Sequence, residues 1–397
     1  MDLLDVTVQI ALPTLAAAAL LVWFRDPHVR SRAEQLPRPF WWLLFALTRL
    51  AYPLLIFAVL DVRAASDSWY WKISSARTAA GGIPGVDHVW IYGPALAWLQ
   101  GALRAIAPGG HWVVTLLPFV AGDALAITFG ARLARASDAR LRAAWITAWL
   151  VLSPLLWHQL VVRGQDESLF VGMLAVAACA AMQKRPTLCG VLLGLGILLT
   201  KPTFLPFAAV LVATLRPQRG AMVRASVAAA CVAAPWYLFL PATYPSRALA
   251  ENTGVGISAT DLLGRVTGLP FIVLLGIFAL AAGSVVLAVL LRGHRLPPAR
   301  RACVALAAMQ CAVMLFMPAC RSPYVSQALV MVLIVVAMQP SQRAQQRALI
   351  GLILLGWVAV EVWTLHPIFT VTLKPLSLAF HSYVLYVCAR ELGVRSR

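Results

Sequence analysis

The stretch from residue 271 to residue 291 reads FIVLLGIFALAAGSVVLAVLL and contains no charged residue. An α-helix of about 20 apolar residues spans the hydrocarbon core of a bilayer. Apolar segments of this kind number about thirteen along the chain, and several are shorter than ~17 residues, which predicts broken helices or different boundaries there. They are 4–24, 40–60, 112–131, 143–160, 168–183, 188–200, 204–215, 225–242, 271–291, 302–318, 325–338, 348–365 and 373–389. The pattern predicts an all-α polytopic membrane protein.

The composition excludes soluble and nucleic-acid-binding classes. With 61% hydrophobic and 12% charged residues over 397 positions, soluble domains would expose large apolar patches. The net charge of +18 is spread between apolar runs, whereas a nucleic-acid-binding protein would cluster it on one face or tail. We therefore expect residues 1–397 to form a single integral membrane domain with lipids, and not nucleic acid, around it.

Basic residues alternate from loop to loop. If the amino terminus is external, 22 of the 33 basic residues fall in alternate loops and the tail, which marks that face as cytoplasmic. Ten of the 15 acidic residues fall on or toward the other face, so any chemistry is predicted there. The first apolar run has no basic leader and no clear cleavage site, which indicates a retained span. A compact Ala/Arg-rich chain favours a bacterial inner membrane with a periplasmic site.

The first long external loop, residues 61–111, carries Asp67-Ser68-Trp69-Tyr70. A carboxylate and a tyrosine at the bilayer surface suit binding or deprotonation of a polar ligand. Residues 89–107 predict a short helix lying in the interface, which Pro94 begins and Gly109-Gly110 end. An interfacial helix beside an acidic site suits a substrate with a lipid tail.

Further polar patches lie on the same face. The run RGQDES occupies residues 163–168, Lys201-Pro202-Thr203 follows a span containing Gly190 and Gly194, and RSPY occupies residues 321–324. An ordinary helix cap accounts equally well for an acid and a serine at a helix start, and a lone lysine can snorkel to the interface. The small-residue spacing at Gly190 and Gly194 predicts close helix packing.

Two charges lie deep in adjacent predicted spans. Arg49 and Asp123 are each about a dozen residues from the outer face, so at ~1.5 Å rise per residue they reach the same depth. A buried charge in a membrane usually pairs. We predict a structural salt bridge between them.

The seven cysteines are scattered, mostly in apolar segments, and lack metal-ligand spacing. They are therefore predicted to fill the core. We expect no metal and no cofactor.

The first loop carries Asp67 and Tyr70, then GGIP at 81–84 and IYGPAL at 91–96. These motifs resemble the first loop of GT-C glycosyltransferases, which are polytopic enzymes that use lipid-phosphate sugars. The second motif is RGQDESL at 163–169, with the basic turn 184–185, the glycines of 189–196 and Lys201. It is similar to the corresponding series in glycosylphosphatidylinositol first-mannose transferases and in bacterial polyprenyl-phosphate-mannose-dependent transferases. The Ser-x-Tyr at 322–324 matches a comparable family motif.

Two positions depart from the family pattern. Trp69 stands where the first loop often has a second acid, which argues against a two-carboxylate or metal-assisted scheme. Gln165 replaces an asparagine. Together the changes leave the identity of the sugar open, with mannose preferred.

The resemblance implies an inverting transfer from a polyprenyl-phosphate sugar to a hydroxyl of a glycan or glycolipid. Asp67 would be the general base, with Asp61 and Asp87 as alternatives. Cations would offset the charge of the lipid phosphate, and polar residues would bind sugar hydroxyls or orient the cations. The residues implied for substrate binding are Tyr70, Arg163, Gln165, Asp166, Glu167, Lys201, Arg321 and Tyr324.

Two other classes compete with a transferase. A lipid or solute transporter would line a pathway with intramembrane charges and make no bond, although no convincing internal repeat is present. A catalytically inactive partner of another glycosyltransferase would tolerate Trp69. Loss of sugar transfer on changing Asp67 would separate an enzyme from both.

Overall fold

The structure is a computed structural model. It describes residues 7–26, 28–29, 32, 35–62, 67–88, 90, 92–107, 109, 111–137, 143–218, 220–238, 258–318, 320–361 and 366–393. Within these ranges the regular structure is helical, apart from an isolated bridge between Pro84 and His88. The predicted all-α polytopic class is confirmed.

Helices follow one another along the described chain. They are α1 (Leu12–Arg25), α2 (Arg38–Val59), α3 (Asp67–Ala79), α4 (Pro94–Ile106), α5 (Trp112–Ala136), α6 (Ala143–Leu152), α7 (Glu167–Met182), α8 (Pro186–Leu199), α9 (Phe204–Ala213), α10 (Ala221–Leu238), α11 (Ala259–Thr267), α12 (Phe271–Arg292), α13 (Pro298–Phe316), α14 (Leu329–Ala337), α15 (Gln342–Glu361) and α16 (His366–Glu391). Each predicted apolar segment coincides with helix for most of its length. By length and apolarity, five of the described helices, α2, α5, α10, α12 and α13, can cross a membrane. Helices α1, α7, α8 and α9 are shorter and apolar.

Helix α4 confirms a helix within residues 89–107. Pro94 occupies its first turn, where a missing N–H costs nothing. The helix ends at Ile106, before Gly109, and Gly110 lies outside the described residues. The predicted start of the helix at Pro94 is confirmed.

Helix α3 was not predicted, because the side chains it buries are mostly small and polar. Ser68, Trp71, Ser75 and Thr78 are buried on one face at helical spacing. The hydroxyls of Ser75 and Thr78 donate to carbonyls four residues earlier, at 2.6 and 3.0 Å. This face packs closely on α4, since a Cβ at Gly101 would lie 2.6 Å from Thr78 Cγ2.

Glycines permit two pairs of helices to cross at close distance. A Cβ at Gly122 in α5 would lie 2.5 Å from the Leu169 backbone in α7, and one at Gly172 would lie 2.3 Å from the Gly122 carbonyl oxygen. A Cβ at Gly190 in α8 would lie 2.2 Å from the Ala225 carbonyl oxygen in α10. The predicted close packing at Gly190 is confirmed.

The predicted Arg49–Asp123 salt bridge is present, with Nε 3.0 Å from Oδ2 and both side chains fully buried. The guanidinium also donates to the carbonyls of Leu150 and Val151, at 2.8 and 2.5 Å. Asp123 Oδ1 accepts from Ser168 Oγ at 2.8 Å. These bonds tie α2, α5 and α6 to the first turn of α7, so the pair supports the position of the neighbouring Glu167.

Candidate active site at the start of helix α7

A π-helical segment, Leu155–Val162, leads into the RGQD run and the start of α7. Such segments are frequent at functional sites. Ser68 in α3 donates through N–H to the Arg163 carbonyl at 3.0 Å and through Oγ to the Val162 carbonyl at 2.5 Å. Helix α3 thus docks on this turn and places its first residue, Asp67, beside it.

Gly164 fits this docking for two reasons. Its φ of +67° lies in the left-handed region that favours glycine. A Cβ there would lie 2.6 Å from Trp71 Cδ1, and the Trp71 indole N–H donates to the Gly164 carbonyl. Any larger residue would push the turn away from α3.

Lys201, after the end of α8, reaches the start of α7. Its Nζ lies 2.6 Å from Asp166 Oδ1 and 2.7 Å from Glu167 Oε1, and all three residues are buried. The ammonium also lies 5.2 Å from the ring centroids of both Tyr92 and Tyr324, within cation–π range. Lys201 is therefore held by carboxylates and rings, in contrast to a lysine that snorkels to the interface.

Tyr92 connects Lys201 to Asp67, because its hydroxyl donates to Asp67 Oδ2. The next residue, Gly93, allows this approach, since a Cβ there would lie 2.1 Å from the Leu198 carbonyl oxygen at the end of α8. We call Asp67, Tyr92, Asp166, Glu167, Lys201 and Tyr324 the Lys201 cluster. The sequence reasoning missed Tyr92 as a site residue, although it lies in the IYGPAL run and beside the start of the predicted loop helix.

Opposing effects act on Asp67. Burial raises the pKa of the Asp67 carboxyl, while the charge of Lys201 and the hydrogen bond from Tyr92 lower that pKa. Burial and the nearby carboxylates raise the pKa of Tyr92 well above its ordinary value, so Tyr92 stays a neutral donor. A carboxyl group whose pKa is raised by burial, and whose ionised form accepts a hydrogen bond, has properties that suit a general base.

The other predicted binding residues lie around this cluster. The Tyr70 ring centroid lies 5.8 Å from that of Tyr92, and the charge of Arg321 lowers the pKa of Asp67. Arg163 and Gln165 are buried in the turn before α7. The structure thus brings the residues of the separate sequence motifs to one place.

The alternative bases do not join the Lys201 cluster. Asp61 is exposed just after α2. Asp87 is exposed, and its Oδ2 accepts from the backbone N–H of Ile83 at 2.6 Å, so it closes a local turn. Of the three predicted carboxylates, Asp67 alone lies in the Lys201 cluster within the described residues.

An apolar cavity of about 770 Å³ opens beside the cluster. Its walls come largely from α8, α9, α10 and α12, with Ile197, Ala233 and Phe278 among them, while Lys201 and Tyr324 also line it. Tyr237, a further wall residue, donates to the Ile197 carbonyl at 3.4 Å. The cavity is large enough for part of a hydrophobic chain whose polar end meets Lys201.

The described residues contain no group of three or more His, Cys, Asp and Glu side chains placed to hold a metal ion. Six of the seven cysteines are buried, and Cys231 is exposed.

Residues 83–216 match the sequence profile of the family described as "Alpha-(1->6)-mannopyranosyltransferase, N-terminal domain". The match covers about a third of the chain. It includes Tyr92, the RGQDES run and Lys201, while Asp67 precedes it and Tyr324 follows it. No curated protein and no solved structure matches the chain. The matched segment is similar to a mannosyltransferase domain, which confirms the resemblance to GT-C mannosyltransferases and supports a membrane glycosyltransferase.

Proposed function

We propose that the protein transfers mannose from a polyprenyl-phosphate donor to a hydroxyl of a glycan or glycolipid acceptor, with inversion, and that Asp67 is the base. The observation that carries this proposal is the path from the apolar cavity through Lys201 and Tyr92 to Asp67. The family match supports mannose as the sugar and a glycosyltransferase as the class.

The donor would lie along this path. Its prenyl chain would enter the apolar cavity, its phosphate would lie near Lys201 and Tyr324, and its sugar would point toward Asp67. Because Lys201 already pairs with both Asp166 and Glu167, it leaves little net positive charge for a phosphate. Arg163 and Arg321 would therefore act together with Lys201 to stabilise the departing phosphate.

The reaction needs one proton transfer and one substitution. Asp67 accepts the proton of the acceptor hydroxyl as that oxygen attacks the anomeric carbon from the face opposite the phosphate. The bond between the anomeric carbon and the phosphate oxygen breaks, and the electron pair leaves with the lipid phosphate. The new glycosidic bond has the inverted configuration, and no metal or cofactor enters the step.

The charge pattern of the loops supports an assignment of the site to one side of the membrane. We place the Lys201 cluster on the non-cytoplasmic face, which is the periplasmic side of an inner membrane in a bacterial cell. Nucleotide sugars are made in the cytoplasm, so a lipid-linked donor suits a site on the opposite face.

The test is a donor comparison with the purified full-length protein in lipid. Radiolabelled polyprenyl-phosphate mannose and GDP-mannose are each offered with an oligomannoside acceptor, and labelled product is separated by chromatography. The proposal predicts product from the lipid donor and none from the nucleotide sugar. Product from GDP-mannose alone would overturn the donor assignment. Movement of the intact lipid donor across the bilayer, with no labelled product, would favour a transporter.

A further inference from the structure

A second cavity, of about 280 Å³, lies between α1 and α15. Three arginines line it, Arg25 from the last turn of α1 and Arg343 and Arg347 from the start of α15. The remaining lining residues are Phe24, Gln346 and Ile350, so no carboxylate lines it. We propose that this cavity binds a phosphate group, as the headgroup of an anionic phospholipid or as free phosphate.

The cavity lies at the opposite end of the bundle from the Lys201 cluster. At the near end, Val8 just before α1 contacts His158 through its carbonyl at 3.1 Å, and His158 lies five residues before Arg163. From Val8 the chain continues through α1 away from His158. At ~1.5 Å rise per residue, Arg25 lies roughly 25 Å from Val8 along the helix axis. This site is therefore separate from the proposed transferase site.

The positions of the arginines in α15 favour the binding of an anion. Arg343 and Arg347 are four residues apart, so they share one helix face and repel each other. Arg343 lies in the first turn of α15, where the helix dipole disfavours positive charge and favours a negative group. Arg25 adds a third guanidinium to the same cavity. A bound phosphate would offset the repulsion between the arginines and the unfavourable interaction of Arg343 with the helix dipole.

No protein group offsets these charges within the part of the chain that the structure describes. The side chains of Arg25, Arg343 and Arg347 form no salt bridge or hydrogen bond with another described residue. The acid next in sequence, Asp26, lies outside the cavity lining, and its Oδ1 accepts from the backbone N–H groups of His28 and Val29 at 2.8 and 3.3 Å.

The helix surface beside the cavity fits a lipid. Leu15, Val22 and Arg25 share a face of α1 by their spacing, and Leu15 and Val22 are 65% and 55% exposed. Acyl chains can pack along these apolar residues while the phosphate meets the arginines. The guanidinium group of an arginine can donate two parallel hydrogen bonds to phosphate oxygens. Three arginines can therefore surround one headgroup.

The test counts bound lipid on the purified full-length protein by native mass spectrometry during titration with phosphatidylglycerol. Arg343→Gln with Arg347→Gln removes two of the three charges. A matched control, Arg185→Gln with Arg224→Gln, removes two exposed arginines that do not line the cavity. At roughly fivefold in affinity per basic residue, the cavity variant should bind phosphatidylglycerol on the order of 25-fold more weakly, and the control should match the wild type.

Inorganic phosphate, added as a competitor, distinguishes the two sources. Release of the lipid by millimolar phosphate would assign the site to a free phosphate, and resistance would assign it to a lipid; both outcomes support a phosphate site. Equal lipid binding by wild type, cavity variant and control would overturn the proposal, as would equal weakening in both variants. If the double variant fails to fold, Arg25→Gln alone replaces it, with an expected weakening of roughly fivefold.

Discussion

Tyr92→Phe should move the acid limb of the pH–rate profile upward. The substitution removes the hydroxyl that donates to Asp67 Oδ2 and keeps the ring that faces Lys201. That hydrogen bond stabilises the ionised carboxylate and lowers the pKa of Asp67 against the effect of burial. Without it the pKa of Asp67 rises, so the base is protonated, and activity lost, at a higher pH.

The size of the shift follows from the strength of this bond. A hydrogen bond to a charged group contributes about 1.5–3 kcal/mol, and one pKa unit corresponds to about 1.36 kcal/mol. Asp67 is only partly buried, so water replaces part of the lost bond in the variant. We therefore expect the acid limb of kcat/KM to move up by about 1 unit.

The assay is sugar transfer from polyprenyl-phosphate mannose, measured across the acid limb for wild type and Tyr92→Phe. Tyr237→Phe is the matched control, because it removes a hydroxyl from the cavity wall that donates to the Ile197 carbonyl. Its acid limb should match that of the wild type. An unchanged limb in Tyr92→Phe, or a shift to lower pH, would refute the role given to Tyr92.

Three further predictions concern stability, each measured by thermal or denaturant unfolding in detergent. Arg49→Met and Asp123→Asn should each cost about 3–5 kcal/mol and the double variant less than their sum; additive costs would contradict the pairing. Lys201→Met leaves Asp166 and Glu167 without their shared cation, so adding Glu167→Gln should recover part of the lost stability; a further loss would contradict the charge argument. Gly164→Ala should cost about 1–3 kcal/mol more than Gly109→Ala. Both glycines have a similar positive φ, but only Gly164 has Trp71 within 3 Å of the added Cβ; equal costs would show that strain alone matters.

Structural features that depend on long apolar runs or on isolated charges could be predicted from the sequence. A run such as 271–291 specifies a helix regardless of its neighbours, because a bilayer leaves no other partner for its backbone. Arg49 and Asp123 could be paired because depth along two spans is a matter of simple rise per residue. The close crossing at Gly190 followed from small-residue spacing.

Long-range contacts between short polar elements could not be predicted. Helix α3 buries serines and a threonine, so its helical face carries no hydrophobic signal. The contact of Tyr92 with both Asp67 and Lys201 depends on the approach of Gly93 to the Leu198 carbonyl, which joins parts of the chain more than a hundred residues apart. The sequence therefore indicated which residues form polar patches, whereas the ion pairs of Lys201 could be identified only from the fold.

The most direct test of the central claim is transfer from polyprenyl-phosphate mannose by Asp67→Asn compared with wild type and with Asp87→Asn. Asp87 is a matched control because it is an exposed acid of the same loop that accepts only a local backbone N–H in the described structure. We predict turnover by the wild type and by Asp87→Asn, and a loss of roughly 10²–10⁴-fold in Asp67→Asn with an unchanged thermal melt. Wild-type turnover in a folded Asp67→Asn protein would contradict Asp67 as the base.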